Sequence, residues 1–148
     1  MKSISKDTPL SEITLRKYEK PNNLDQRELI RKLCLSIGLL QPGDSRDIIV
    51  DILNVLVLNK TKELDSEEIR TNVIDLRKKQ NLQLKGVAAS NIRRQLRRLR
   101  SLFLIEKIKN NYRITEFETL ITTFEEKVEK FYLKNILDRV KEYFQAIK

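Results

Sequence analysis

The stretch GVAASNIRRQLRRLRSLFLIEKIKNNYRIT, residues 86–115, decides the fold. Within it Ile92, Leu96, Leu99 and Phe103 succeed one another by four, three and four positions. That spacing is one face of a 3.6-residue period and predicts a helix over 88–102. Ser90, Asn91, Arg94, Arg97, Arg98 and Ser101 fall on the opposite face, with Arg93 and Arg100 on the flank. Two short strands, 104–108 and 112–115, follow with Lys109-Asn110-Asn111 between them. Asparagine tolerates positive φ, so this tripeptide suits the turn of a hairpin.

The charge of the chain is concentrated in the same place. Residues 85–113 hold nine of the 30 lysines and arginines but one of the 21 acids, Glu106, in a chain of net charge +9. Solvated helix faces normally mix signs through i,i+4 pairs. Five arginines between positions 93 and 100 do not mix them. They repel one another until a polyanion arrives, and the DNA backbone supplies a dense row of anions. Double-stranded DNA is therefore the expected partner, with no cofactor.

Composition narrows the function classes further. A chain of 148 residues, 40% hydrophobic and 34% charged, is long enough to bury a core. Three glycines and three prolines favour long helices over elaborate loops. With no histidine and one cysteine there is no Ser–His or Cys–His pair, no intrachain disulfide and no ordinary zinc cluster. The string Gly86-Val87-Ala88-Ala89-Ser90 is no phosphate-cradling loop. An enzyme is not expected, nor a metal. Cys34 lies in an apolar helical run and reads as a small buried hydrophobe. The opening MKSISKDTPL lacks the apolar core of a signal peptide. Residues 52–58, the longest apolar run, are interrupted by Asn54 and too short for a bilayer. A cytoplasmic, nucleoid-associated protein without membrane contact is the expectation.

Along the chain three parts are expected. Residues 1–43 form an arm and a helix packed on the core, with Ile13 and Leu15 suited to a short edge strand. Asn23 and Gln26 resemble a capping box for a helix over 24–37 that Gly38 ends. Residues 44–116 begin with a helix over 46–59, capped by Asp44 or Ser45 and apolar almost all round, hence the central core helix. A short strand over 60–64 leads to a helix from Ser66 to Gln80, capped by Asp65, with buried Ile69, Val73 and Leu76. Its closing Arg77-Lys78-Lys79 complements the helix dipole first and contacts phosphate second. Leu82 and Leu84 tuck in before the arginine helix. Residues 117–148 carry a stripe of Phe117, Ile121, Phe124, Val128 and Phe131. The stripe changes phase and resumes as Leu133, Leu137, Val140, Phe144 and Ile147. A kink near 132–135, or two helices with Asn135 capping the second, would explain the shift.

Helix, short strand, helix, turn, helix and two-stranded hairpin is the order of the winged helix-turn-helix fold. The residues carrying the resemblance are Leu64-Asp65-Ser66-Glu67-Glu68-Ile69, Gly86-Val87, then Ile92, Leu96 and Leu99, then Leu104-Ile105-Glu106 and Tyr112-Arg113-Ile114-Thr115. Over 46–115 the chain resembles a prokaryotic, archaeal-type winged-helix transcriptional regulator. Two departures stand out. Ala88 occupies a site where the family often has a capping Ser or Thr, so the helix is expected to begin nearer Ser90. Phe103 occupies a site where glycine often ends the helix.

The resemblance implies a mainly α fold, three core helices plus a two-stranded wing, with an extra N-terminal helix and long C-terminal helices. It implies a sequence-specific DNA-binding protein whose helix 88–102 reads the major groove and whose wing 104–115 holds phosphates. Ser90, Asn91, Arg94 and Gln95 would read base edges. Lys85, Arg93, Arg97, Arg98, Lys107, Lys109, Asn110 and Arg113 would hold the backbone. The C-terminal stripe either folds back over the domain or pairs with its twin. A homodimer is expected, since so long a seam exceeds what one small domain needs. The competing reading is a winged-helix module that binds a protein in a replication, segregation or transcription assembly.

Overall fold

The computed structural model describes residues 6–148, so the first five positions of the expected arm lie outside the described residues. The fold is mainly helical with one small sheet. Its elements are α1 (Gln26–Ser36), α2 (Ile48–Leu58), β1 (Leu64–Asp65), α3 (Ser66–Lys79), α4 (Ala89–Ser101), β2 (Ile105–Ile108) and β3 (Asn111–Ile114). A 3-10 turn (Thr115–Phe117) leads into a final rod made of α5 (Leu120–Thr123), a π-helical stretch (Phe124–Leu133) and α6 (Lys134–Ala146). No helix among the described residues is long and apolar enough to cross a membrane.

Helix α2 is the centre, as its sequence demands. Every residue from Ile48 to Leu56 is buried, because α1, α3, α4 and β3 pack around it. Each such Ile, Leu or Val contributes roughly 1.5–3 kcal/mol of burial free energy. The core takes Ile69 and Val73 from α3 and Ile92, Leu96 and Leu99 from α4. The sheet adds Leu64, Ile105, Tyr112 and Ile114. Ile30, Cys34 and Leu35 of α1 lie in the same cluster, so the N-terminal helix shares the core. Burial pushes the Cys34 thiol up to about 12, against a small opposing pull from Arg98, which keeps it protonated.

The sheet is antiparallel, in the order β1-β3-β2. Ile105 faces Ile114 and Ile108 faces Asn111, while Leu64 faces Tyr112. The hairpin turn is thus the pair Lys109-Asn110, and the residue with positive φ is Lys109 (56°), neither asparagine. β1 makes this a three-stranded sheet by pairing with the far strand of the hairpin.

Caps differ from expectation at two helices. Asp25, not Asn23, caps α1 by accepting from the Glu28 amide at 2.9 Å, and Asn23 takes a left-handed turn residue's φ of 59°. Asp44 Oδ1 accepts from the Arg46 amide just ahead of α2, whose N-cap, Asp47, makes no side-chain cap bond. At α3 the expected Asp65 cap is present, completed by Glu68 into a reciprocal box.

α1 ends as predicted at Gly38, φ 78°, with the Leu39 amide bonded back to the Cys34 carbonyl. The arm does not form the expected edge strand: residues 11–22 carry no regular structure. It crosses over Gly38 instead, held by Arg16, whose amide donates to the Ser36 carbonyl and whose guanidinium donates to the carbonyls of Leu35 and Leu40. A Cβ at position 38 would stand 2.7 Å from Thr14 Cβ. Gly38→Ala should therefore cost roughly 1–3 kcal/mol, from left-handed strain and the displaced arm. Urea denaturation checks this, and an unchanged midpoint would refute the packing argument.

The final rod is continuous, without the kink expected near 132–135: Leu133 and Lys134 keep right-handed helical dihedrals. The stripe changes phase because π-helical turns hold more residues than α-helical ones, so the apolar face drifts around the axis. The stripe also divides. Val128 is buried, Leu120 and Phe124 pack on the core, and Tyr132 meets Phe103 edge-on at 5.8 Å. The Tyr132 hydroxyl also bonds the Glu12 backbone of the arm. Beyond this, Leu137, Val140, Phe144 and Ile147 are exposed, Phe144 at 72%. Val128 is thus unavailable as a dimer contact. Phe117 sits in the 3-10 turn at φ 55° rather than on the helical stripe.

Candidate nucleic-acid interface

α4 realises the amphipathic pattern of its sequence. Ile92, Leu96 and Leu99 are completely buried against α2 and α3. With 100° between successive residues, that anchoring turns Ser90, Arg93, Arg94, Arg97, Arg100 and Ser101 outward, and all six are exposed. The helix begins at Ala89, one residue before the expected Ser90. Its N-cap, Ala88, offers no side-chain acceptor, so first-turn amides are left uncapped at the positive end of the helix. At the other end Phe103 adopts φ 65°, the left-handed conformation that glycine usually supplies. The Phe103 amide donates to the Arg100 carbonyl and the Leu104 amide to Leu99, closing the helix and directing the chain into β2. Thr115, just past β3, fastens that join by donating its hydroxyl to the Phe103 carbonyl at 2.6 Å.

The connector before α4 is fixed by two arginines of α3. Arg70 Nε donates to the Val87 carbonyl and Arg77 Nε to that of Gln83, each at 2.6 Å. Arg77 is only 5% exposed, which corrects its reading as a surface charge at the helix end. Its guanidinium reaches Asp47 at 3.2 Å and also pairs with Asp51. Arg27 of α1 completes the group, 2.9 Å from Asp47 and 3.0 Å from Asp51. Burial resists the ionisation of Asp47, but hydrogen bonds from Arg27 and Arg77 outweigh it and hold the carboxyl below its ordinary value. Two cations and two anions thereby join α1, α2, α3 and the connector that aims α4. Leu84, expected to tuck in, is exposed on that connector.

The candidate DNA residues fall into two groups. The side chains of Arg93, Arg94, Arg97 and Arg100 carry no ion pair or hydrogen bond among the described residues, and neither do those of Lys85, Lys109 and Asn110. Lys107 lies over the Tyr112 ring at 5.7 Å and has no acidic partner among the described residues. The second group is committed inward. Asn91 Nδ2 donates to the Gly86 carbonyl at 2.8 Å, and Gln95 Nε2 donates to Asn91 Oδ1 at 3.1 Å. Arg98 Nη1 then donates to Gln95 Oε1 at 2.8 Å and Nη2 to the Leu39 carbonyl at 2.7 Å. This ladder ties the flank of α4 to the loop after α1, so Arg98 is a structural strut rather than a free phosphate ligand. Arg113, also expected to hold phosphate, pairs with Glu106 and with Glu63 at 3.6 Å, and lies 4.5 Å over the Phe117 ring. Glu106, partly desolvated, is nonetheless held below the usual carboxylate range by the Glu116 amide and by Arg113.

No family model, curated protein or solved structure matches the chain.

Two depressions flank α4, and each gathers a cation that the sequence keeps far away. One, of about 480 Å³, lies between the start of α4 and the loop after α1, and it brings Arg46 beside Lys85 and Arg94. The other, of about 520 Å³, lies between the end of α4 and β2 and brings Lys127 of the final rod beside Arg97, Arg100 and Lys107. Lys127 is shared with Glu116 at 3.7 Å. Neither Arg46 nor Lys127 carried a signal in the sequence, since each stands alone among residues of mixed charge. The cationic surface therefore extends past both ends of the arginine helix.

Proposed function

We propose that this chain is a winged helix-turn-helix protein that binds double-stranded DNA as a homodimer and regulates transcription. One observation carries the reading. Of the eight arginines off α4, five pair with acids among the described residues, Arg27, Arg70, Arg77, Arg113 and Arg139. The three that do not, Arg16, Arg31 and Arg46, are scattered rather than gathered on one helix. On α4 it leaves Arg93, Arg94, Arg97 and Arg100 exposed with no acidic partner among the described residues. A row of unneutralised guanidinium groups on a helix anchored by its opposite face suits a polyanion. In this reading α4 enters the major groove, Ser90 and Arg94 approach base edges, and Lys107, Lys109 and Asn110 on the hairpin reach the backbone. Asn91 and Gln95 read bases only if their ladder opens. Titrating the protein into labelled random-sequence duplexes at moderate salt tests it: absence of a shifted complex would end the proposal.

The exposed apolar side of α6 supports the homodimer, since a two-fold axis lets one such face cover its twin. Replacing Leu137 and Phe144 together by Glu should convert the dimer to a monomer in light scattering, while helix content stays unchanged. A wild-type mass equal to one chain would remove this part of the proposal. The same apolar side also supports the competing reading, a module docked on another protein in a replication, segregation or transcription assembly. DNA affinity indifferent to sequence, together with a stoichiometric protein partner, would favour that reading.

A further inference from the structure

The depression at the start of α4 differs from the one at its end. It is more enclosed, and its walls are already fixed. The ladder from Gly86 through Asn91 and Gln95 to Arg98 and the Leu39 carbonyl forms one side. Arg16 holds the other by donating to the Leu40 carbonyl and to Gln41 Oε1 at 2.6 Å. Arg46, Lys85, Arg94 and Arg98 line it against a single carboxylate, Asp44, which already accepts from the Arg46 amide. The side chains of Arg46, Lys85 and Arg94 have no hydrogen-bond or ionic partner among the described residues. Leu40 and Ile48 close its base but, at 2% and 4% exposure, belong to the core. A volume of about 480 Å³ is far larger than an inorganic anion needs and falls within the range of small-molecule sites, roughly 300–1,000 Å³.

We infer that this cleft binds a phosphorylated small molecule of nucleotide size, its phosphates among Arg46, Lys85 and Arg94. Arg94 belongs both to the cleft and to the outward face of α4. A ligand that occupies Arg94 withdraws it from DNA, so ligand and duplex oppose one another, and by linkage each weakens the other by the same factor. That regulatory half rests on the DNA-binding reading. The site itself does not.

Calorimetry on the full chain, without DNA, separates the two. The probes are the four ribonucleoside triphosphates, the four monophosphates and inorganic pyrophosphate. At least one nucleotide should bind saturably with Kd below about 1 mM and at least tenfold tighter than pyrophosphate, which leaves most of the cleft unfilled. Arg46→Glu and Lys85→Glu should each weaken it tenfold or more, whereas Lys20→Glu on the exposed arm should not. No saturable binding, binding equal to that of pyrophosphate, or binding indifferent to both charge reversals would overturn the site. In a duplex titration the tight nucleotide at saturation should raise the apparent DNA Kd at least fivefold, and an unchanged value would overturn the opposition. A chain that binds the nucleotide but no duplex keeps the site and loses the regulator. A chain that binds duplex but no nucleotide loses the site and keeps the regulator.

Discussion

Replacing Arg93, Arg94, Arg97 and Arg100 together by Gln should lower duplex affinity about a thousandfold. The estimate takes about 1 kcal/mol per residue, the low end for such contacts, and converts the total at 1.4 kcal/mol per decade. Fold should survive, because all four side chains are exposed and none holds another part of the described chain. Glutamine keeps the helix propensity of the positions, so melting temperature is the control. Salt dependence gives the stricter test. Each arginine that meets a phosphate contributes about 0.9 to the slope of log K against log salt, so the quadruple variant should lose up to four such increments. Arg94→Gln alone should compress the difference between preferred and scrambled sequences, since an arginine near the start of the helix is placed to read guanine. By contrast Arg113→Ala should act mainly through stability, because Arg113 is already neutralised by Glu106 and Glu63. A quadruple variant that binds as tightly as the parent, with the same salt slope, would refute α4 as the interface.

What could be read from residues alone follows a physical division. Periodic apolar positions are local information, so α4, α3 and the all-round burial of α2 were legible to within a residue or two. Capping at Asp65 was legible because its partner, Glu68, is three residues away. Misread were the side chains whose partners lie far along the chain. Arg77 reads as an exposed helix end because Asp47 and Asp51 stand a full helix earlier. Arg98 and Arg113 read as free cations because the Leu39 carbonyl and Glu63 are remote in sequence. Caps at Asn23 and Asp44 fail for a subtler reason: adjacent polar residues compete for the first amides, and Asp25 wins at α1 while no side chain caps α2. The C-terminal stripe was legible as amphipathic, but the π-helical stretch was not, since a phase slip in a 4-3 pattern fits a kink equally well.

The buried ionic group should be the most sensitive point of the fold. Asp51 is 1% exposed and faces both Arg27 and Arg77, so Asp51→Ala leaves Arg77 with its main partner gone, away from water. Breaking such a group by removing one member costs about 3–5 kcal/mol, a large share of the 5–15 kcal/mol that holds a domain together. The double replacement Asp51→Leu with Arg77→Met removes both charges and should recover much of that loss, because apolar substitutes of similar size are often neutral. Recovery in stability need not restore DNA binding, since Arg77 also holds the Gln83 carbonyl of the connector that aims α4. Asp47 adds a pH dependence of definite sign. Its folded carboxyl titrates below the ordinary value of 3.8, because Arg27 and Arg77 outweigh its desolvation. Its contribution is therefore fully present above that value and is lost as pH falls through the lower, folded one. Denaturation midpoints in urea across acidic pH should show a drop for the parent that Asp47→Asn lacks, starting from a lower stability at neutral pH. Equal stability of Asp51→Ala and the parent, or parallel acid limbs for the parent and Asp47→Asn, would mean that α1, α2 and α3 are joined by their apolar contacts and not by this charge group.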